Sequence, residues 1–360
     1  MIKANYFLRY ILIICILYLA GAMIISPTES ICAASDALRL CAETVVPSLF
    51  PFIFCGNMFI ALGMARTLSK YLSRIMKPIF GVSGSGALAL VTGTVSGYPV
   101  GAACVSSLYS AGECTKTEAE RLLSFCNNSG PMFVIGAIGA GFFKNHRIGV
   151  FLYIIHILSA LICGLIFKRF GSEQENNALP PAHYSDTIKE AAPNLGAAIE
   201  KSVDTILIIC GFIVIFSVFT AIMPDNPISN YVHCFLEITG GIKKIIFEKA
   251  SLTLPLISFF LGFSGLSVMA QVSAIVVPTG LSMMPYITGK LAHGIIAFII
   301  TYLAINILPM EVPVFSYTTP PFSPNTTDII SISITLQVMA FLVLRVFIAV
   351  SKALHQNKKR

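Results

Sequence analysis

Long apolar runs alternating with short polar stretches set the plan of this chain. Six to seven of these runs approach the roughly 20 residues that a helix needs to cross a bilayer. They are Tyr6–Ile25, Val45–Leu62, Leu122–Phe143, Ile148–Phe167, Val203–Met223, Leu291–Met310 and Ile329–Val350. Lys3 and Arg9 ahead of the first apolar core also suit a signal peptide. In a chain with this many further runs, an uncleaved first span fits better.

Two more stretches are apolar but interrupted. Gly84–Ser110 and Ser251–Val277 each hold two short apolar arms around a centre of Gly, Ser or Pro. Single arms of about a dozen residues are too short to cross, and the pattern predicts a re-entrant helical hairpin in each. The alternative for either stretch taken alone is a spanning helix packed through its glycines.

The two stretches resemble one another. Ser96-Gly97-Tyr98-Pro99-Val100-Gly101-Ala102 aligns with Ser264-Gly265-Leu266-Ser267-Val268-Met269-Ala270, and the same offset places Gly112 on Gly280. Upstream, Phe54-Cys55-Gly56 resembles Ile209-Cys210-Gly211. A short amphipathic stretch precedes each broken segment, Arg66–Phe80 in one half and Cys234–Phe247 in the other, and a span follows each. An order that occurs twice, with interruptions at matching places, is the sequence pattern of a secondary transporter and marks its binding site. The expected architecture is an all-α polytopic membrane protein with two inverted repeats. Each repeat holds an interfacial helix, a re-entrant hairpin and spanning helices. Residues 1–34 form a first span and loop, 35–171 the first repeat, 172–201 a polar linker, 202–350 the second repeat and 351–360 a basic tail. The linker carries Glu173, Glu175, Pro180-Pro181 and Asp186, and a second loop, Glu311–Asp328, is rich in Pro and Thr.

Composition agrees with lipid as the solvent. Of 360 residues, 56% are apolar and 11% charged, against about 25% charged in a soluble domain, and the mean hydropathy is +0.82. That excludes a soluble globular enzyme and a disordered chain. The net charge of +7 forms no basic stripe with interleaved aromatics, so no nucleic-acid partner is expected. With a cytoplasmic N-terminus and seven crossings, equal numbers of Lys and Arg fall on the two sides, and the positive-inside rule gives no orientation. Most of the ten cysteines lie within apolar runs, with no C-x-x-C pair. They read as small hydrophobes rather than as disulfide or zinc ligands. No metal or organic cofactor is implied, and a homo-oligomer is neither required nor excluded.

Polar positions inside the apolar runs carry the candidate chemistry. A helix that stops within the membrane leaves terminal N–H and C=O groups without partners, each costing several kcal/mol in hydrocarbon unless protein, water or ligand satisfies it. Thr94, Ser96 and Tyr98 mark the first break, and Ser264, Ser267 and Gln271 the second. Any one of these hydroxyls is equally served by a bond to the preceding helical turn. Asn127-Asn128-Ser129-Gly130-Pro131 is a third polar break, readable as a site or as a plain loop between shorter helices. Thr115-Lys116-Thr117-Glu118 just before it fits a capping box that starts a helix. Glu237, ahead of Thr239-Gly240-Gly241, reads as a cavity ligand or as a solvated interfacial charge. With Asp204 it is a candidate for a coupling proton or sodium ion. His156 and His293 read as packing histidines within spans. Arg121 and Lys290 sit nearly in register between the repeats, placed to draw an anion to either mouth or to snorkel at helix ends. The expected substrate contacts are Ser96, Gly97, Tyr98, Asn127 and Asn128 in the first repeat, with Glu237, Ser264, Gly265, Ser267 and Gln271 in the second.

An enzyme is the rival class. Gly262-Phe263-Ser264-Gly265 is similar to the G-x-S-G of rhomboid intramembrane serine proteases, with His293 as base. The recurrence of Ser-Gly at Ser96-Gly97 and the partial match around Ala292-His293-Gly294 weaken that reading, and a non-transporting membrane scaffold is a third.

Five longer motifs carry a family resemblance. They are Val46–Phe52, Gly84–Leu90, Ser96–Gly101, Glu118–Ser129 and Gly262–Gln271, in order across roughly Ser35 to Val350. They resemble the YlbJ family of sporulation integral membrane proteins. That resemblance implies a nucleoside-recognition (Gate) domain similar to concentrative nucleoside transporters, built from inverted repeats with interfacial helices and re-entrant hairpins. It further implies a spore-forming bacterium and movement of dipicolinic acid, a small planar dianion, across the outer forespore membrane, with a nucleoside as the alternative substrate. The chain departs from the family pattern in two places: it has Ser129-Gly130-Pro131 after the paired Asn where the family has Ser-Ser-Pro, and Ser264-Gly265 where the family usually opens the second hairpin on a Gly-Gly pair.

Overall fold

The computed structural model describes residues 13, 16–21, 23–169, 188–223, 227–245 and 252–307, with the side chains of 188–194 and 227–228 excepted. The expected span Ile329–Val350, the Pro/Thr loop, the basic tail and most of the linker lie outside these residues. The described chain is all-helical. α1 runs Pro27–Ala61, α2 Met64–Phe80, α3 Gly86–Val95, α4 Val100–Ser110, α5 Lys116–Leu123, α6 Met132–Phe142 and α7 His146–Phe167. α8 follows at Ile188–Ala221, then α9 Pro227–Leu236, α10 Ile238–Ile245, α11 Thr253–Phe263, α12 Gly265–Val276 and α13 Met284–Ile307.

Among the described residues, five segments are long and apolar enough to cross a membrane: Pro27–Ala61, His146–Phe167, Leu195–Ala221, Thr253–Thr279 and Met284–Ile307. Their surfaces fit that solvent. On α7, Ile154, Leu158, Leu165 and Ile166 are exposed, while Ile155, His156, Ser159 and Cys163 face inward. A helix apolar on its outer face and partly polar on its inner one is inverted relative to a soluble protein. The chain is an all-α polytopic membrane protein.

α1 begins well before the expected span at Val45. Its 35 residues reach about 52 Å at 1.5 Å per residue, beyond a hydrocarbon core of about 30 Å. The helix widens to π-type turns at Cys41–Val45, immediately before Pro47. A proline ring collides with the carbonyl four residues earlier, and a widened turn accommodates that collision without ending the helix. α8 is of similar length and packs along α1.

α2 is the expected amphipathic helix. It ends at Gly81, whose φ of 67° is the left-handed C-cap that glycine adopts without steric cost. α3 and α4 then fold back on each other through Ser96–Pro99, with a cis Tyr98–Pro99 peptide. The second broken segment differs. Ser264 and Gly265 both take positive φ, 70° and 79°, and the arms on either side pack on separate partners. α11 lies along α13, whereas α12 packs against α8 and α4. The amphipathic stretch expected at Cys234–Phe247 is two helices, α9 and α10, with Glu237 between them.

The run Leu122–Phe143 is no continuous span. Helix α5 stops at Leu123, residues 124–130 are non-helical, and helix resumes at Pro131, leading into the π-type turns of α6. The start of α5 is the expected capping box: Glu118 Oε2 accepts from Thr115 N at 2.9 Å, and Thr115 Oγ1 accepts from Glu118 N at 3.2 Å.

Candidate functional site

The three breaks meet in the interior. Segment 124–131 lies across the first hairpin and beneath α13, and glycines permit each approach. A Cβ on Gly93 or Gly101 would fall 1.7 or 2.3 Å from the Cys126 carbonyl oxygen, so that carbonyl sits between the two hairpin arms. At the tip, a Cβ on Gly97 would lie 2.7 Å from Gly130 N, and one on Gly130 would lie 2.8 Å from Ser96 O. On the other side, a Cβ on Gly289 of α13 would lie 2.4 Å from Ser124 O.

Side chains complete the junction. Asn127 is fully buried; its Oδ1 accepts from Ala102 N at 3.3 Å, in the first turn of α4. Its Nδ2 donates to the Tyr286 hydroxyl at 3.1 Å, and that hydroxyl pairs with Ser264 Oγ at 3.3 Å. One chain of hydrogen bonds thus joins the start of α4, the 124–131 segment, α13 and the second break. Asn128 Nδ2 donates to Phe125 O at 2.9 Å, and Ser129 N donates to His156 Nε2 at 2.9 Å. Around the first tip several buried polar atoms have no hydrogen-bond partner: Ser96 Oγ, Tyr98 OH, Asn128 Oδ1 and Ser129 Oγ. Tyr98 lies beside Ser129 without a well-aligned bond. Buried polar atoms are rarely left this way, and four lie together around this tip.

Of the ten residues expected to contact substrate, Ser96, Gly97, Tyr98, Asn127, Asn128 and Ser264 come together here. Gly265 starts α12 beside the carbonyls of Cys234, Phe235 and Leu236, the C-terminal end of α9. Ser267 and Gln271 are buried and pair with each other one turn along α12, Gln271 Nε2 lying 3.4 Å from Ser267 Oγ. Glu237 caps α10: Oε1 accepts from Thr239 N at 2.9 Å and Oε2 from Gly240 N at 2.7 Å. It remains within electrostatic range of Tyr98. Thr94 contributes its carbonyl, which accepts from Tyr153 OH at 3.0 Å. Asp204 is on the exposed face of α8.

Three further expectations change. Arg121 is buried rather than at a mouth, and its Nη1 donates to Gly81 O at 2.6 Å, closing the C-terminus of α2. Lys290 is fully buried in α13. The Ser–His pair that a protease requires is not formed: Ser264 Oγ pairs with Tyr286, whereas His293 Nε2 meets the His156 carbonyl at 2.9 Å. Gly262 has a packing reason, since its Cβ would lie 2.7 Å from Gly294 Cα where α11 crosses α13. Tyr286, the hub of the junction, is not among the residues that interruptions of the apolar pattern single out. Its signal in the sequence is a tyrosine directly after Pro285 at the start of an apolar run.

The chain is 31% identical over 327 aligned residues to the sporulation integral membrane protein YlbJ of Bacillus subtilis (strain 168), covering 80% of each protein. It belongs to the YlbJ family. No family model and no solved structure matches the chain. Membership and the apolar helices together make it an integral membrane protein.

Proposed function

We propose that this YlbJ-family protein acts in sporulation as a transporter of a small polar anion, with dipicolinic acid carried across the outer forespore membrane as the substrate. The observation that carries the reading is the junction of three helix breaks, tied by Asn127, Tyr286 and Ser264 and lined with unpartnered polar atoms. Broken helices at membrane depth are tolerated where they line a binding site, and paired breaks in two halves of a chain are the pattern of alternating-access carriers. In this reading the halves are inverted repeats of the Gate type, and the broken segments are re-entrant. The meeting of α4 with α12, where Ser106 Oγ lies 3.4 Å from Ile275 O, supports the pairing of corresponding second arms.

Contacts to substrate come from Ser96, Gly97, Tyr98, Asn127 and Asn128 in the first half, and from Ser264, Gly265, Ser267 and Gln271 in the second, with Glu237 bordering Tyr98. Hydroxyls and side-chain amides supply hydrogen bonds to carboxylate oxygens and to a ring nitrogen. A nucleoside would use the same amides and hydroxyls, so it serves as the competing substrate in the test.

Uptake of dipicolinate and of uridine into proteoliposomes is compared for wild type, Asn127→Ala and Gln271→Ala. The expected result is dipicolinate uptake by wild type, reduced at least tenfold in both variants at equal protein incorporation. Uridine uptake in its place would transfer the function to nucleosides. Wild-type dipicolinate rates in both variants would remove these residues from the site.

A further inference from the structure

Lys290 follows Tyr286 by one helical turn on α13, so the two share a face. It is 0% exposed, and its Nζ has no hydrogen-bond partner. No ion pair among the described residues includes it. The groups in electrostatic reach are the thiols of Cys126 and Cys163 and the imidazoles of His156 and His293. None of these is a carboxylate. The two imidazoles lie against each other, ring centroids 4.5 Å apart, and each keeps an unpartnered buried Nδ1. Ser159 Oγ, one turn from His156 on α7, is also buried without a partner.

His156 Nε2 accepts from Ser129 N, which leaves its Nδ1 a donor, and Ser159 Oγ can donate as well; no carboxylate among the described residues lies in this neighbourhood. An ammonium removed from water without a counter-ion costs several kcal/mol, and intramembrane lysines pair or mark a substrate path. Packing gives no reason for a lysine here, because a methionine fills nearly the same volume without the charge. Arg121, the other buried cation of the expected pair, already donates to Gly81 O.

We propose that Lys290 is an anion-binding residue, its ammonium donating to a carboxylate of a small organic anion that enters the junction beside Tyr286. The proposal rests on the transport reading for the substrate class and deepens it by naming the counter-charge.

The test uses the full chain in detergent micelles. Thermal unfolding of wild type, Lys290→Gln and Lys290→Met is followed with increasing dipicolinate and, separately, inorganic phosphate. Dipicolinate is expected to raise the wild-type Tm, and both variants should need at least tenfold more ligand for the same shift. Their ligand-free Tm should equal or exceed that of wild type, because the substitution removes an unpaired buried charge. An undiminished dipicolinate response in the variants overturns the proposal, as does failure of both to fold, which would make Lys290 a packing residue. A phosphate response matching that of dipicolinate overturns the carboxylate assignment. Proteoliposome uptake separates the two readings. Binding that depends on Lys290 without transport sinks the transport reading alone, and transport undiminished in both variants sinks the Lys290 assignment alone.

Discussion

Gly93 and Gly101 show how a single missing Cβ decides the architecture of the junction. They face the Cys126 carbonyl from the two arms of the first hairpin, and a Cβ added to either would fall within 2.3 Å of that oxygen. The opposing atoms are all backbone, since a Cβ on Gly93 would also lie 2.9 Å from Gly101 Cα. Nothing flexible can yield. Overpacking a filled interior costs about 1–3 kcal/mol, and more when backbone must move. Gly93→Ala is therefore expected to lower the Tm of the purified protein by several degrees or to abolish its folded yield. Gly136→Ala, with nothing within 4 Å of the added carbon, should unfold at or slightly above the wild-type temperature. Equal behaviour of the two variants would contradict the packing described. The sequence marks Gly93 and Gly101 as part of a glycine-rich centre but cannot say what approaches them. The approaching group is a main-chain carbonyl from a different segment, and carbonyls carry no sequence signal. Tyr286 is hidden for a related reason: its hydroxyl acts at a junction, yet its ring is one more apolar residue in a run.

Elements were legible where local chemistry fixes them. The capping box of α5 is a four-residue signal, and both of its reciprocal bonds form. Thr115→Ala removes the acceptor for Glu118 N, and an N-cap of this kind contributes about 1 kcal/mol. Hydrogen exchange should therefore show faster opening of the α5 amides in that variant, with little change in α7. Uniform protection in both helices would show that the cap is redundant. The breaks at Ser96–Pro99, at Asn127–Pro131 and at Ser264 were also readable, because glycine, proline and amides are costly inside an apolar helix. Helix ends that extend out of the apolar region were not. α1 begins at Pro27 and runs through Glu29, Ser30, Asp36 and Arg39, residues that end an apolar run without ending a helix. Hydropathy reports the solvent around a segment, whereas helicity follows backbone hydrogen bonding, and the two part company at the membrane surface. The separate packing of α11 and α12 was equally hidden. Whether two arms close on each other depends on partners from distant parts of the chain, here α13, α8 and α4.

At the scale of the whole molecule, polar bonds join the two halves at several places among the described residues, including Asn57 Nδ2 to Ser202 Oγ, Ser106 Oγ to Ile275 O and His293 Nε2 to the His156 carbonyl. Ser282 N donates to Glu120 Oε1 at 3.0 Å near one end of α13, and Asn127 Nδ2 donates to Tyr286 OH in the interior. Around them the contact is made by small residues and apolar packing, as at Gly289 over Ser124. If the protein is the carrier proposed above, alternating exposure of its site must break and remake such contacts, so their number limits how readily the halves separate. Asn127–Tyr286 is the bond that stands at the meeting of the breaks. Removing either partner leaves a buried polar group unpaired, a cost of about 1–3 kcal/mol. Removing both, as in Asn127→Leu with Tyr286→Phe, replaces the pair by apolar groups and should cost less than the sum of the two single changes. The coupling expected for residues in direct contact is about 0.5–3 kcal/mol, read from denaturant unfolding in detergent. The same four proteins can be compared in uptake. If the bond acts as a latch between the halves, Tyr286→Phe, which keeps the ring and deletes only the hydroxyl, should change the transport rate by more than it changes the apparent affinity. Additive stabilities, or a change confined to affinity, would place Tyr286 among ordinary ligand contacts and locate the latch elsewhere.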